Sequence, residues 1–255
     1  MKVTTFFNTQ GGVRRSTLAR EVLDGLARRR VQAMGFDQDA WPGLRFAMQV
    51  LTSMPPCRVV HLDAGDLARG RLDELTDVEH VVIDTQKVPT LYREALEVSD
   101  VIVVPVWCDS IDELRELTLE EIAQAQGKRR EQGLPVQEVL VVFQARQGVS
   151  SVAREDLLAL RESMSARGVA CINFLETIVP FAPVQVDEEG RFLGVYMSLR
   201  MIDEDQHSVL CLERFIDEIL LAHGEARPIM AWSPDLISTE RYAMAATIAD
   251  VLPMT

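Results

Sequence analysis

Asn8-Thr9-Gln10-Gly11-Gly12-Val13-Arg14-Arg15-Ser16-Thr17-Leu18 follows directly on Lys2-Val3-Thr4-Thr5-Phe6-Phe7. The earlier run is short, apolar, β-branched and aromatic, and reads as a strand. Gly11-Gly12 supplies backbone that can turn sharply, and Ser16-Thr17-Leu18-Ala19-Arg20-Glu21 opens a helix. Strand, glycine turn and helix start together aim backbone N–H groups and a positive dipole end at one point, which makes an anion site. Arg14 and Arg15 put two cations at that helix start, where they oppose the dipole. They bind phosphate oxygens, or fill the pocket or meet an acidic partner, or are solvated helix-start residues. An anion, bound or carried by a partner, would relieve the conflict.

Working outward, strand and helix patterns alternate, as in a parallel sheet covered on both faces. A first helix is expected over about residues 16–30 and a weak second strand over Val31–Phe36. Gly65, Gly70 and several charges between 63 and 79 read as a loop or short helix. Val81-Val82-Ile83-Asp84 is a compact buried strand ending in a carboxylate. Val101–Val106 is continuously apolar and so buried on both faces. An acidic-then-basic amphipathic helix covers 110–131, and a buried strand covers Val139–Phe143. A helix over 150–167 stops at Gly168, and a short strand runs from Ala170 to Phe174. The last helix of the main domain, 208–223, carries Leu210, Leu212, Phe215, Ile216, Ile219 and Leu220 on its apolar side. The domain is therefore placed at 1–224. Residues 225–255 read as a linker and a C-terminal amphipathic helix, packed on the domain or on a partner.

Composition narrows the class. At 255 residues, 47% hydrophobic and 25% charged, the chain suits one globular α/β domain with a core that needs no staples. Cys57, Cys108, Cys171 and Cys211 are scattered without a C-x-x-C pair, which suits reduced thiols in a cytoplasmic protein. The four histidines show no metal-ligand spacing. The longest apolar run, Val101–Cys108, is too short to span a bilayer, and the C-terminal region lacks a basic amphipathic helix. No signal peptide is expected after Met1-Lys2, and no membrane partner. A net charge of −13 disfavours non-specific nucleic-acid binding by the whole surface. Arg28-Arg29-Arg30 and Lys128-Arg129-Arg130 are local exceptions, read either as cations at helix C-termini or as a DNA patch.

In its motifs the chain resembles the ParA/MinD family of deviant Walker A ATPases, whose loop reads K-G-G-x-G-K-[ST]-T. Gly11, Gly12, Ser16 and Thr17 match that pattern, and three positions depart. The signature lysine is Gln10, the third glycine is Arg14, and the Walker lysine is Arg15. A guanidinium is larger and planar where an ammonium is compact, and a Cβ at the glycine position invites strain. Val31–Asp39 is similar to the family's V-L-L-I-D-x-D-P-Q segment, with the first aspartate replaced by Gly35 and the second kept as Asp37. His80-Val81-Val82-Ile83-Asp84-Thr85 is similar to the family's Walker B segment, its prolines replaced by Gln86-Lys87. Glu97–Val106 and Phe174–Phe181 resemble two further family segments, and order and spacing agree over roughly residues 1–225.

The resemblance implies a P-loop fold with a mostly parallel central sheet and a C-terminal helical tail. It implies a nucleotide-binding loop of Gln10, Gly11, Gly12, Val13, Arg14, Arg15, Ser16 and Thr17, taking ATP or ADP with Mg²⁺. Ser16 and Asp84 would hold the Mg²⁺, with Asp84 and Ser16 as an expected pair. Asp37 would be the catalytic carboxylate, unless it is a turn-forming aspartate ahead of Asp39-Ala40-Trp41-Pro42-Gly43. Gln144 stands where the family often has an asparagine near the base. With both family lysines gone, the expected function is a weak or inactive ATPase serving plasmid or DNA segregation, conjugative maintenance or cargo positioning. The expected assembly is a homodimer or a pairing with a related ATPase, with a protein partner or a DNA cargo complex. The alternative is an active Mg-ATPase of the same family that uses Arg15 in place of the Walker lysine.

Overall fold

In the computed structural model the described residues are 1–38, 58–62, 67, 72, 74–111, 114, 116–145, 151–179 and 206–224. They form seven strands: β1 (Lys2–Phe6), β2 (Ala33–Asp37), β3 (Arg58–His61), β4 (His80–Asp84), β5 (Val101–Trp107), β6 (Glu138–Gln144) and β7 (Ile172–Phe174). Five helices accompany them: α1 (Arg15–Arg28), α2 (Pro89–Val98), α3 (Glu116–Glu131), α4 (Arg154–Ala166) and α5 (Gln206–Ala222). The sheet order is β3-β2-β4-β1-β5-β6-β7, and every pairing is parallel.

Side-chain alternation along the strands explains the two-sided core. Val82, Val101, Val103, Leu140 and Val142 meet Leu18, Val22 and Leu26 of α1 and Leu212, Phe215 and Ile219 of α5 on one face. Ile102, Val104, Val139, Val141 and Phe143 meet α2, α3 and α4 on the other. Towards the β3 edge, Val3, Met34, Phe36, Val81 and Ile83 continue that second face beneath Ala95 and Val98 of α2. Pro105 is tolerated inside β5 because β1 pairs with β5 only as far as Val103.

α1 and α5 approach closely through Gly25, where a methyl group would stand 2.1 Å from Ile216 Cδ1. Arg28 and Arg29 of α1 reach across this junction, Arg28 to Glu213 at 2.8 Å and Arg29 to Asp217 at 2.9 Å. On the other face Arg93 clasps the buried Glu121 with Nε–Oε2 2.7 Å and a second bond at 2.5 Å, joining α2 to α3. Within the cationic runs at the ends of α1 and α3, Arg28, Arg29 and Arg129 are held inside the fold, while Arg30, Lys128 and Arg130 are exposed. Lys128 pairs with Glu97, and the buried Arg129 donates to the Ser99 carbonyl.

The α/β class and the two covered faces agree with the sequence reading, and several boundaries move. The second strand lies at Ala33–Asp37, and the helix expected from 110 is helical from Glu116. Two elements have no counterpart in that reading, β3 and α2. The first is a four-residue strand whose central Val59-Val60 is too short a signal. The second starts at Pro89, which suits the first turn of a helix but reads in a sequence as punctuation. The expected linker and tail helix, 225–255, lie outside the described residues, as do Asp39–Gly43 and 180–205.

Candidate phosphate-binding site

The site forms where the strand order reverses. β1 sits between β4 and β5, and the chain leaves β1 for β2 on one side, then leaves β4 for β5 on the other. In open α/β sheets such a switch point leaves a crevice at the carboxyl ends of the strands. Phe6, Asp84 and Asp37 fall in one register row across β1, β4 and β2. Registered neighbours in adjacent strands present their side chains on the same face about 4.8 Å apart. Asp37 and Asp84 therefore stand side by side, both fully buried, on the face that α1 covers.

The loop between β1 and α1 is stitched down at its start and end. The buried Asn8 donates Nδ2–H to the Pro105 carbonyl at 2.9 Å and accepts from the Gln10 N–H at 2.8 Å. Thr118 of α3 accepts from the Thr9 N–H at 3.1 Å and donates to Asn8 Oδ1 at 3.2 Å. At the far end Gln144 donates Nε2–H to the Val13 carbonyl at 2.9 Å. Between these anchors Gly11 and Gly12 are exposed, and Gly12 takes φ +80°, a left-handed conformation that glycine adopts freely. α1 then begins at Arg15, with Arg14 as its N-cap.

Arg14 itself is left-handed, with φ 55° and ψ 33°, and makes no side-chain capping bond. This is where the family pattern has glycine, and a residue with a Cβ there costs roughly 1–2 kcal/mol. Burial, and then the neighbouring Arg20 guanidinium, lower the Arg14 pKa, while Glu21 opposes them. Arg14 thus lies in the field of α1's own charged pair, in which Arg20 Nε donates to the buried Glu21 at 3.0 Å. Arg15 donates NH1–H to Thr85 Oγ1 at 3.1 Å, and Thr85 donates in turn to the Phe6 carbonyl at 2.8 Å. Arg15 is thereby held at the end of β4, one residue past Asp84.

Ser16 and Thr17 lie half-buried in the first turn of α1. Among the described residues the Ser16 hydroxyl makes no hydrogen bond, so it is not joined directly to Asp84. No group of three or more His, Cys, Asp or Glu side chains gathers among the described residues. Two neighbouring carboxylates and a serine hydroxyl in the first turn of α1 are nonetheless hard-oxygen donors. They suit Mg²⁺, which takes one or two carboxylates and fills its remaining positions with water and phosphate. The residues present fit a Mg–phosphate group on that chemistry.

Several site residues carry no motif of their own. Thr118 holds the start of the loop through Asn8 and Thr9, yet nothing in its own sequence context marks it. Gln38 donates to the Leu91 carbonyl at 3.0 Å, and its own carbonyl accepts from Gln86 Nε2 at 2.7 Å. Lys87, noted in the sequence only as a departure from proline, places its ammonium over Gly11.

No family model matches the sequence, and neither does any curated protein. Solved structures do. The chain is similar to pNOB8 ParA bound to nonspecific DNA, with 12% identity and a TM-score of 0.62 over 89% of this chain and 99% of that one. It is similar to the cell division protein MinD of Aquifex aeolicus, with 12% identity and a TM-score of 0.56 over 90% and 100% of the two chains. It is also similar to cobyrinic acid a,c-diamide synthase of Mycobacterium smegmatis with bound ATP analog and magnesium. That match has 13% identity and a TM-score of 0.57 over 91% and 100%. The fold of this chain is that of the ParA/MinD P-loop ATPases.

Proposed function

We propose that this ParA/MinD-like chain binds nucleoside triphosphate or diphosphate with Mg²⁺ at the β1–α1 loop and hydrolyses it very slowly or not at all. It would act as a scaffold or regulator in plasmid or DNA segregation, conjugative maintenance or cargo positioning. The observation that carries this reading is the contrast within one loop. Its backbone has the glycine turn and helix start of a phosphate cradle, while its Walker-lysine position is a guanidinium held by Thr85. Phosphoryl transfer depends on positioning and charge neutralisation at the terminal phosphate. A planar donor fixed at the end of β4 supplies charge to the site without the reach of a mobile ammonium.

Gln10, Gly11, Gly12, Val13, Arg14, Arg15, Ser16 and Thr17 would contact the nucleotide, and Ser16 with Asp84 would hold Mg²⁺. Asp37, beside Asp84, would orient water if turnover occurs. The assembly would be a homodimer or a pairing with a related ATPase. Cargo would be reached through a protein partner or as a DNA cargo complex; the net charge of −13 and the internal pairing of Arg28, Arg29 and Arg129 weigh against a broad nucleic-acid surface. No helix among the described residues is long and apolar enough to cross a membrane.

Calorimetric titration with MgATP and MgADP tests the reading. Native protein, Arg15→Ala and the restored Arg14→Gly/Arg15→Lys double variant are compared. Binding that falls about tenfold or more in Arg15→Ala makes the guanidinium a working phosphate ligand, since a charge-assisted hydrogen bond contributes roughly 1.5–3 kcal/mol. Binding confined to the restored variant identifies a decayed nucleotide site. Absence of binding in all three removes the proposal. The in-register pair Asp37–Asp84 favours one rival, an active Mg-ATPase using Arg15. Steady ATP hydrolysis that disappears in Asp84→Ala would establish it.

A further inference from the structure

Between β4 and α2 the chain runs Thr85-Gln86-Lys87-Val88, and its neighbours hold it in place. Thr85 donates to the Phe6 carbonyl at 2.8 Å, Gln86 donates to the Gln38 carbonyl at 2.7 Å, and α2 begins at Pro89. Lys87 is left as the exposed residue of this segment that leans toward the glycine turn. A methyl group on Gly11 would lie 2.6 Å from Lys87 Nζ and 3.4 Å from its Cε. The ammonium therefore rests against bare backbone that only glycine leaves open. Among the described residues it makes no hydrogen bond and no ion pair.

That placement puts a cation at a loop already rich in positive charge. The ammonium shares the mouth of the loop with Arg15 and with the positive end of α1, and like charges repel. A second polar group at the loop also lacks its complement. Gln144 is 1% exposed and holds the Val13 carbonyl through Nε2, yet its Oε1 has no hydrogen-bond partner. A buried amide oxygen left unmatched is uncommon; as an acceptor it calls for a donor, such as a group on a nucleotide's base or ribose, and not for the phosphates themselves. Cations gathered over exposed glycine backbone call for an anion with several oxygens.

We propose that Lys87 is the phosphate-contacting lysine of this protein, supplied from the segment after β4 in place of the two lysines missing from the loop. The inference rests on the nucleotide-binding reading above and deepens it. The ligand class is a polyphosphate chain, as in a nucleoside triphosphate or diphosphate. Lys87 Nζ donates to its oxygens from the Gly11 side, while Arg15 approaches from the Thr85 side. Charge at the cradle is thus restored by relocation: one ammonium on a flexible stem, outside the loop it serves.

The experiment titrates MgATP, MgADP and inorganic tripolyphosphate into native protein and into Lys87→Ala, Lys87→Arg and Lys87→Glu, with thermal melting as a folding control. Lys87 is exposed, so these variants should fold like the native protein and melt no lower than it. Lys87→Ala is expected to weaken MgATP and tripolyphosphate by about tenfold to a hundredfold, the range of one charge-assisted contact. Lys87→Glu should weaken them further, and Lys87→Arg should recover most of the loss. Parallel losses for tripolyphosphate and ATP locate the contact on phosphate and not on the base or ribose. An unchanged Kd in Lys87→Ala, alongside a loss in Arg15→Ala, overturns the assignment of Lys87 and leaves the nucleotide reading standing. If the native chain binds no probe but Arg14→Gly/Arg15→Lys does, Lys87→Ala is read in that background by the same criterion. If neither background binds any probe, the nucleotide reading falls and this inference falls with it.

Discussion

The two ends of β1 and β4 treat buried polar groups in opposite ways. At the amino end, Thr4 Oγ1 lies 3.0 Å from His80 Nε2 and 2.7 Å from His223 Nε2, and the two rings meet edge to face with centroids 4.6 Å apart. His80 is fully buried and His223 is nearly so. Burial is the main cause that lowers both, His80 to a pKa of about 3 and His223 to about 4. At that end the two buried imidazoles stay uncharged, and they tie the end of α5 to the sheet. At the carboxyl end Asp37 and Asp84 neighbour each other, Arg15 is held one residue past Asp84, and the loop carries exposed glycine backbone under the Lys87 ammonium and a half-buried, left-handed Arg14. Buried polar groups stay uncharged at one end and charge is gathered at the other, and that contrast supports the proposed ligand site.

The largest expected effect comes from forcing charge onto the buried histidines. Both histidines have folded pKa values below the ordinary 6.5, so the unfolded chain binds more protons as pH falls. Their contribution to stability is complete above about pH 6.5 and is lost progressively towards pH 4 and 3. Between pH 7 and pH 5 each group should remove about 2 kcal/mol, an upper bound for a site that relaxes on protonation. Glu121 adds in the same direction at lower pH, because the Arg93 hydrogen bonds hold its carboxyl below the usual range. Urea unfolding from pH 7 to pH 5 measures the loss. Replacing His80 with Gln should flatten that dependence by about half, and an unchanged slope would refute the uncharged pair.

A smaller effect asks what holds the histidine pair together. His223 reaches Thr4 only because α5 lies close on α1 at Gly25, with no room for a side chain. Gly25→Ala forces the Ile216 side chain aside. Overpacking costs about 1–3 kcal/mol, and the better helix propensity of alanine returns about 1. The net expectation is a destabilisation of about 1 kcal/mol accompanied by a shallower pH dependence, since α5 carries His223 away with it. In a double-mutant cycle Ile216→Val should relieve part of the clash, so that the two changes together cost less than their sum. Strict additivity would mean that Ile216 is not what excludes a side chain at Gly25.

The carboxyl end was the more legible of the two in the sequence, because its geometry is written in local signals. A β-branched strand, Gly11-Gly12 and an apolar-periodic helix lie within thirty residues of one another, and Asp84 closes an unbroken apolar run. The left-handed strain at Arg14 could be read from the glycine it replaces. Lys87 could not, since its approach to Gly11 joins residues seventy-six positions apart through the parallel pairing of β1 with β4. The amino end has no local signature at all. Thr4, His80 and His223 are unremarkable where they stand, and the chain's four histidines show no metal-ligand spacing. Only the register of β1 on β4 and the closeness of α1 to α5 make three of these residues one group.

The smallest and most pointed test uses α1 itself, which carries a left-handed arginine at each end. Arg14 has φ 55° and Arg30 has φ 58°. At the far end Val31 N–H bonds the Leu26 carbonyl at 3.0 Å and Arg30 N–H bonds the Ala27 carbonyl at 2.9 Å, a Schellman turn that usually takes glycine. Arg14→Gly and Arg30→Gly relieve similar backbone strain and carry similar unfolded-state entropy costs, so each alone should change stability by less than about 1 kcal/mol. Their difference isolates the electrostatics. Arg30 lies at the negative end of the helix dipole, which favours a cation, whereas Arg14 lies at the positive end with Arg20 beside it. Arg14→Gly should therefore be the more stabilising by about 0.5–1 kcal/mol at low salt, and added salt should narrow that gap. Triphosphate, if it binds as proposed, should close the gap further, because an anion turns the loop cations from a burden into ligands. Equal stabilities for the two variants at every ionic strength would mean that the loop end carries no net positive field, and the contrast between the two ends would lose its electrostatic basis.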